Sequence, residues 1–112
     1  MMLADVEISV EDSVVIAQLA GEIDLSNANG MEEAIAAATP NHALTLVVDL
    51  SALEYIDSAG IQLIYQLRER VGVRGQDLKL VIPPSSPAAD ALRLAGVMGQ
   101  LEVSSSLEEA TQ

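Results

Sequence analysis

The sequence predicts an α/β fold: a mixed β-sheet with helices packed on at least one face, in the order β-β-α-β-α-β-α-β-α. Three observations predict it. Val6, Ile8 and Val10 alternate with Glu7, Ser9 and Glu11, the period of a half-buried strand. Leu44 to Leu50 (LTLVVDL) is nearly all apolar and β-branched, the pattern of a strand covered on both faces. Gly60, Leu63, Ile64, Leu67 and Val71 fall on one helical face. Strands that alternate with helices after an initial hairpin imply a mixed sheet.

Each element follows from local signals. Strands over 5–10 and 14–20 flank the turn Glu11-Asp12-Ser13 and form the hairpin, and Gly21 follows. Ser26 or Asn27 can cap the first helix, whose early turns hold Glu32 and Glu33 and which ends through an Ala-rich run before Thr39-Pro40-Asn41. After the strand 44–50, residues 51–57 read as a loop, and a helix starts at Ser58 and is broken by Gly72 and Gly75. Leu78, Leu80 and Ile82 alternate in a further strand closed by Pro83-Pro84. Ser85-Ser86-Pro87 opens another helix, with Pro at a permitted first-turn position, and Gly96 ends it. Leu101 and Val103 form a short strand, and Ser106 can cap a last short helix over 107–111.

The 112 residues suffice for one domain, residues 1–112, with a core that needs no staples. Cysteine is absent, which excludes a disulfide scaffold, a thiolate metal site and a cysteine nucleophile. His42 is the one histidine, so a multi-histidine metal site is excluded too. No apolar run approaches the ~20 residues that span a bilayer, and the N-terminus lacks the basic and apolar regions of a signal peptide, so a cytoplasmic protein is expected. The formal net charge is −12, which disfavours direct binding to nucleic acid or anionic membrane. Residues 1–57 hold eleven Asp or Glu and no Lys or Arg, whereas residues 58–112 hold six acidic and five basic residues. Two readings of this asymmetry stand: solubility, or an acidic face that meets a basic partner.

The chemistry concentrates in LEYIDSAGIQLIY, residues 53–65. Ser58 lies where a loop enters a helix. Its hydroxyl either caps a free backbone N–H of the first turn or serves as a modification site. Ala59 and Gly60 leave the helix start sterically open, and its N–H groups and dipole favour an added anion such as a phosphate. Asp57 opposes that phosphate, and the acidic N-terminal half deepens the opposing field. The expected consequence is a small effect on folding and a large one on any surface docked over Ser58. Ile61 and Tyr65, interleaved with Gln62 and Gln66, form an apolar pair off the core face, either a docking patch or a second covered side.

The segment VVDLSALEYIDSAGIQLI resembles the signature of STAS domains, in particular the bacterial anti-sigma-factor antagonists. Asp57-Ser58-Ala59-Gly60 matches the family's D-S-[AST]-G helix start, preceded by a strand ending in a D-x-S element, here Asp49-Leu50-Ser51. Gly21-Glu22-Ile23-Asp24 with Ala28 resembles the G-E-[IL]-D…A element after the hairpin, and Leu92 to Val97 resembles the L-x-x-x-G-[LV] segment. The resemblance covers essentially the whole chain and implies the STAS-like mixed sheet. It also implies a phosphorylation-switched module that, unphosphorylated at Ser58, binds an anti-sigma factor that is itself an ATP-binding serine kinase. Phosphorylation breaks that complex and a serine phosphatase restores it. On this basis the partner-binding residues are Asp24, Asp57, Ser58, Ala59, Gly60, Ile61, Gln62 and Tyr65, with Ser58 the phosphorylation site. Asp24 would lie near Ser58, or serve simply as a helix-entry residue. No enzyme activity, cofactor or resident metal is expected, and the free chain is expected to be a monomer. The family also contains accessory subunits of lipid or anion transport complexes and adaptors of response-regulator pathways, which form the alternative. The chain departs from the family in lacking phenylalanine, with aliphatic Met98 and Leu101 at positions where aromatic residues are common.

Two further constellations are weak. Ser58, Asp57 and His42 supply the residue types of a hydrolytic triad, but the G-x-S-x-G elbow is missing. Asp24, Asp49 and Asp57 could hold Mg²⁺, although carboxylates at strand ends are common. Gly72-Val73-Arg74-Gly75 reads as a helix-to-strand turn rather than a phosphate loop.

Overall fold

Alternation, the apolar run and the helical stripe together build one five-stranded sheet in spatial order β1-β2-β3-β4-β5. The computed structural model describes residues 4–112. β1 (Ala4–Glu11) and β2 (Val14–Ile23) pair antiparallel, and Asp12 adopts the left-handed conformation, φ 53°, in the tight turn between them. α1 (Ala28–Ala38) leads to β3 (Thr45–Ile56), which pairs parallel with β2 and with β4 (Asp77–Val81). α2 (Ser58–Val73) links β3 to β4, and α3 (Pro87–Leu94) with a 3₁₀ turn (Met98–Gln100) links β4 to the short β5 (Val103–Ser104). α4 (Leu107–Ala110) ends the chain's regular structure. The element order is the predicted one.

The two sheet faces differ. Val15, Ala17, Leu19, Leu46, Val48, Leu50, Leu78 and Leu80 point to the main core, where Met31 and Ile35 of α1, the predicted α2 stripe and Ala88, Ala89 and Leu92 of α3 cover them. The intervening residues Val14, Ile16, Val47 and Val81 face the other side, where α4 covers them with Leu107 and Ala110. β3 is therefore buried on both faces over its first half, as the LTLVVDL run requires. Arg70 of α2 and Arg74, the residue that caps its C-terminus, hold α1 in place. Arg70 pairs with Glu32 at 3.2 Å and Glu33 at 2.9 Å, and both partners raise its pKa. Arg74 donates to Thr39 O at 2.8 Å, one of the carbonyls left open at the C-terminus of α1.

Three boundaries depart from the sequence reading. The hairpin strands extend to 4–11 and 14–23, through Gly21, and α2 runs through Gly72 to Val73, with the break at Gly75. More consequentially, residues 51–56 are strand and not loop. β3 carries extra residues opposite Gln18–Ala20 and Gly21–Glu22, so its register with β2 shifts twice. These bulges destroy the period-2 pattern: Ser51, Ala52, Glu54 and Tyr55 are exposed and only Leu53 and Ile56 are buried. Gly21 lies beside the second shift with φ 92°, in the left-handed region that glycine reaches without a side-chain clash.

Candidate functional site

The extension of β3 determines where the motif residues sit. β2 and β3 run side by side to Ile23 and Ile56, and Asp57 N–H donates to Ile23 O at 3.2 Å. The turn after β2 and the start of α2 are thus neighbours at the C-terminal end of the parallel strands, the end where open α/β sheets place their functional loops.

Asp57, and not Ser58, caps α2. Its Oδ1 accepts from Ala59 N at 2.9 Å and Gly60 N at 3.2 Å. Ser58 is the first helical residue, is exposed, and among the described residues makes no side-chain hydrogen bond. The capping role open to it in the sequence belongs to its neighbour, because extended backbone at Asp57 (φ −106°, ψ −169°) turns that carboxylate back onto the first turn. The hydroxyl is left free for a partner.

Gly60 fixes how closely α2 approaches the sheet. A Cβ there would sit 2.4 Å from Ile56 Cγ1 and 3.1 Å from Ile23 Cγ2. The glycine thereby seats the helix start directly on the two strand ends that carry Asp24 and Asp57.

Asp24 organises the neighbouring turn. Its Oδ1 accepts from Ser26 N at 2.9 Å and from the Ser26 hydroxyl, and these bonds, the hydroxyl first, lower its pKa from 3.8. Its carbonyl accepts from Asn27 N and Ala28 N, opening α1. Asn27 occupies the cap position without capping; its side chain accepts from Asp24 N and donates to Glu22 O. Asp24 is therefore a helix-entry residue placed beside the Ser58 end of the sheet, with no hydrogen bond to Ser58.

The remaining predicted residues divide. Ala59 and Ile61 are partly buried against the main core, and Gln62 is exposed. Tyr65 is half-buried and tied down: its hydroxyl donates to Gln100 Oε1 at 2.8 Å, and Arg68 stacks over its ring while donating to Gln100 O. The Ile61–Tyr65 pair is thus a covered flank with an open edge rather than a free apolar patch. From Gln62 and Tyr65 an open groove of about 560 Å³ runs between α1 and α2 to Val73.

Sequence reasoning missed two residues here. Leu25, in the turn after Asp24, is 81 % exposed, and Tyr55, paired across the sheet with Glu22, is 50 % exposed. Leu25 carried no pattern signal, and Tyr55 fell in the stretch read as loop.

The weaker constellations do not assemble. His42 lies before β3 and Ser58 after it, at opposite ends of a 12-residue strand. Asp49 is buried on the sheet, accepting from Ser51 N at 2.9 Å and Gln18 Nε2 at 3.4 Å. Among the described residues no three His, Asp or Glu side chains converge as a metal site would require.

Comparison with known proteins places this geometry in a family. The model for the STAS domain matches residues 5–110. The chain is 30% identical over 106 residues to the anti-sigma-F factor antagonist RsfB of Mycobacterium tuberculosis, covering 94% of this chain and 84% of that one. It is similar in structure to an anti-sigma factor antagonist from Mycobacterium paratuberculosis, with TM-score 0.77, 26% identity, and coverage of 96% and 91%. SpoIIAA, a Bacillus cell-fate determinant, shares the fold at 17% identity: TM-score 0.74 for its unphosphorylated form (96% and 93% coverage) and 0.68 for its phosphorylated form (96% and 96%).

Proposed function

The chain belongs to the STAS domain family, and from that premise we propose that it is an anti-sigma-factor antagonist acting in the cytoplasm through reversible phosphorylation of Ser58. Unphosphorylated, it binds an anti-sigma factor that is a serine kinase and so frees the sigma factor. The kinase transfers the γ-phosphoryl of ATP to Ser58 Oγ: the new Oγ–P bond replaces the bond from Pγ to the bridging oxygen, ADP is the leaving group, the serine proton leaves with a base on the kinase, and the complex breaks. A phosphatase restores the hydroxyl. The chain is a substrate and a binding module, and carries no catalytic residue of its own.

One observation carries this reading. Ser58 is exposed at the first position of α2, and among the described residues its hydroxyl has no hydrogen-bond partner, because Asp57 takes the cap. A serine in that position is accessible to a kinase and dispensable to the fold. The relatives named above as anti-sigma factor antagonists support the assignment to sigma control.

The test is a paired capture from the native cell lysate, with wild type and Ser58→Glu as baits. Wild type should retain an ATP-binding serine kinase that Ser58→Glu loses. The retained kinase should then label wild type with γ-phosphate from ATP and leave Ser58→Ala unlabelled. Retention of the same transporter or ATPase subunits by both baits would refute the switch and assign Ser58 to a constitutive interface.

A further inference from the structure

Each Lys and Arg side chain is engaged by a partner other than the carboxylates near Ser58. Arg70 pairs with Glu32 and Glu33, Arg74 holds the C-terminus of α1, and Arg68 stacks on Tyr65 and bonds Gln100 O. Lys79 pairs with Glu102, and Arg93 bonds Asp90 and Pro84 O. Among the described residues none forms a salt bridge with Glu22, Asp24, Glu54 or Asp57, the carboxylates carried by the last residues of β2 and β3 and the residues that follow them. The two side chains that sequence reasoning missed belong to this stretch: exposed Leu25 follows Asp24, and exposed Tyr55 follows Glu54 and pairs in register with Glu22. Tyr55 sits opposite Glu22 in the β2–β3 register and three residues before Ser58, at most ~11 Å along the chain. Exposed apolar side chains interspersed with carboxylates that no salt bridge compensates, close along the chain to an exposed serine, have the composition of an interface with apolar anchors and a polar rim.

We propose that Leu25 and Tyr55 are the apolar anchors by which the kinase docks, and that the surface receiving them is an apolar pocket ringed by Lys or Arg. This rests on the antagonist reading and adds to it the residues that supply affinity, distinct from the residue that is modified. A second copy of this chain does not fit the same surface. Two copies meeting there would set four carboxylates against four with no cation between them, in a molecule of net charge −12. The rim carboxylates steer a basic partner to the site, and the two anchors hold it.

The test titrates wild type and variants against the purified kinase retained by the wild-type bait, by calorimetry and stopped-flow fluorescence. Leu25→Ser and Tyr55→Ser should each weaken binding about tenfold or more, with melting temperatures close to wild type because both side chains are exposed. Leu94→Ser, the same change at the 90 % exposed residue ending α3, should bind as wild type. The wild-type association rate should fall steeply with salt, and Glu22→Gln with Glu54→Gln should flatten that dependence. If Leu25→Ser and Tyr55→Ser bind within twofold of wild type while Ser58→Glu fails to bind, the anchors are refuted and the antagonist reading survives. If Ser58→Glu binds like wild type, the antagonist reading falls and the anchors with it. A wild-type dimer that Leu25→Ser dissociates would assign the surface to self-association and overturn the proposal.

Discussion

Asp57 and Ser58 are adjacent, and the structure gives them opposite jobs that two substitutions separate. Asp57→Ala removes a cap whose Oδ1 accepts from two backbone N–H groups, at 2.9 and 3.2 Å. Loss of an N-cap costs ~0.5–2 kcal/mol, and the lost carboxylate also gives up ~0.3–1 kcal/mol of favourable interaction with the helix dipole. A loss of about 1–2 kcal/mol is expected. For a chain of 112 residues the unfolding entropy converts this to a fall in melting temperature of about 4–9 °C. Ser58→Ala removes an exposed hydroxyl with no hydrogen bond and installs a better helix former, so stability should move by less than ~0.5 kcal/mol, or about 2 °C. Asp57→Asn should fall between them, since asparagine caps as well as aspartate and loses only the charge. Thermal unfolding followed by circular dichroism at neutral pH reads all three. A larger loss for Ser58→Ala than for Asp57→Ala would refute the division of roles and return the serine to the cap.

Other consequences follow from the same geometry. Gly60→Ala forces a Cβ to within 2.4 Å of Ile56 Cγ1, and overpacking of ~1–3 kcal/mol should exceed the ~1 kcal/mol gained in helix propensity, so the melting temperature should drop. The Ser26→Ala variant removes the first cause of the lowered Asp24 pKa and should move that pKa up toward 3.8 in an NMR titration. Because the folded-state pKa of Asp24 lies below its unfolded value, its contribution to stability is present above pH ~4 and is lost as pH falls through the lowered value. Arg74→Ala leaves carbonyls at the C-terminus of α1 without their guanidinium donor and should cost ~1 kcal/mol, with hydrogen exchange accelerating in the last turn of α1 ahead of α2.

The sequence made the fold legible wherever burial is periodic. The hairpin and the α2 stripe keep one period and the first half of β3 is an unbroken apolar run, and each of these elements forms, with its ends shifted. The reading failed where a bulge changes the period: past Asp49, burial in β3 falls on Leu50, Leu53 and Ile56, a spacing of three that no strand template contains. That failure hid Tyr55 on a strand face. The D-S-A-G motif located the candidate site, but the choice of cap between two adjacent polar residues depended on the backbone angles of Asp57. Likewise, the engagement of Tyr65 by Gln100 joins residues 35 positions apart, beyond any local pattern.

On the proposed reading, electrostatics predict that a phosphate on Ser58 would act on the interface rather than on the fold. It adds about −1.5 to −2 charges at neutral pH. At a separation of ~7 Å in water, each unit of that charge is repelled by the Asp57 carboxylate by only ~0.6 kcal/mol, before screening by salt. The helix dipole returns a comparable amount, so the folded chain is nearly indifferent. In a docked complex, water no longer supports the new charge. The phosphate occupies the place of a hydroxyl that must lie close to the nucleotide to be phosphorylated at all, and after transfer it faces the phosphates remaining on that nucleotide. With an effective dielectric of ~20, each pair of like charges at ~7 Å then costs ~2.4 kcal/mol, more than tenfold in affinity per pair. In the proposed complex the rim carboxylates would not share this fate, because they would meet cations on the partner while Ser58 meets anions. One end of the sheet would thereby combine attraction at its edge with a repulsion at its centre that a single phosphoryl transfer turns on.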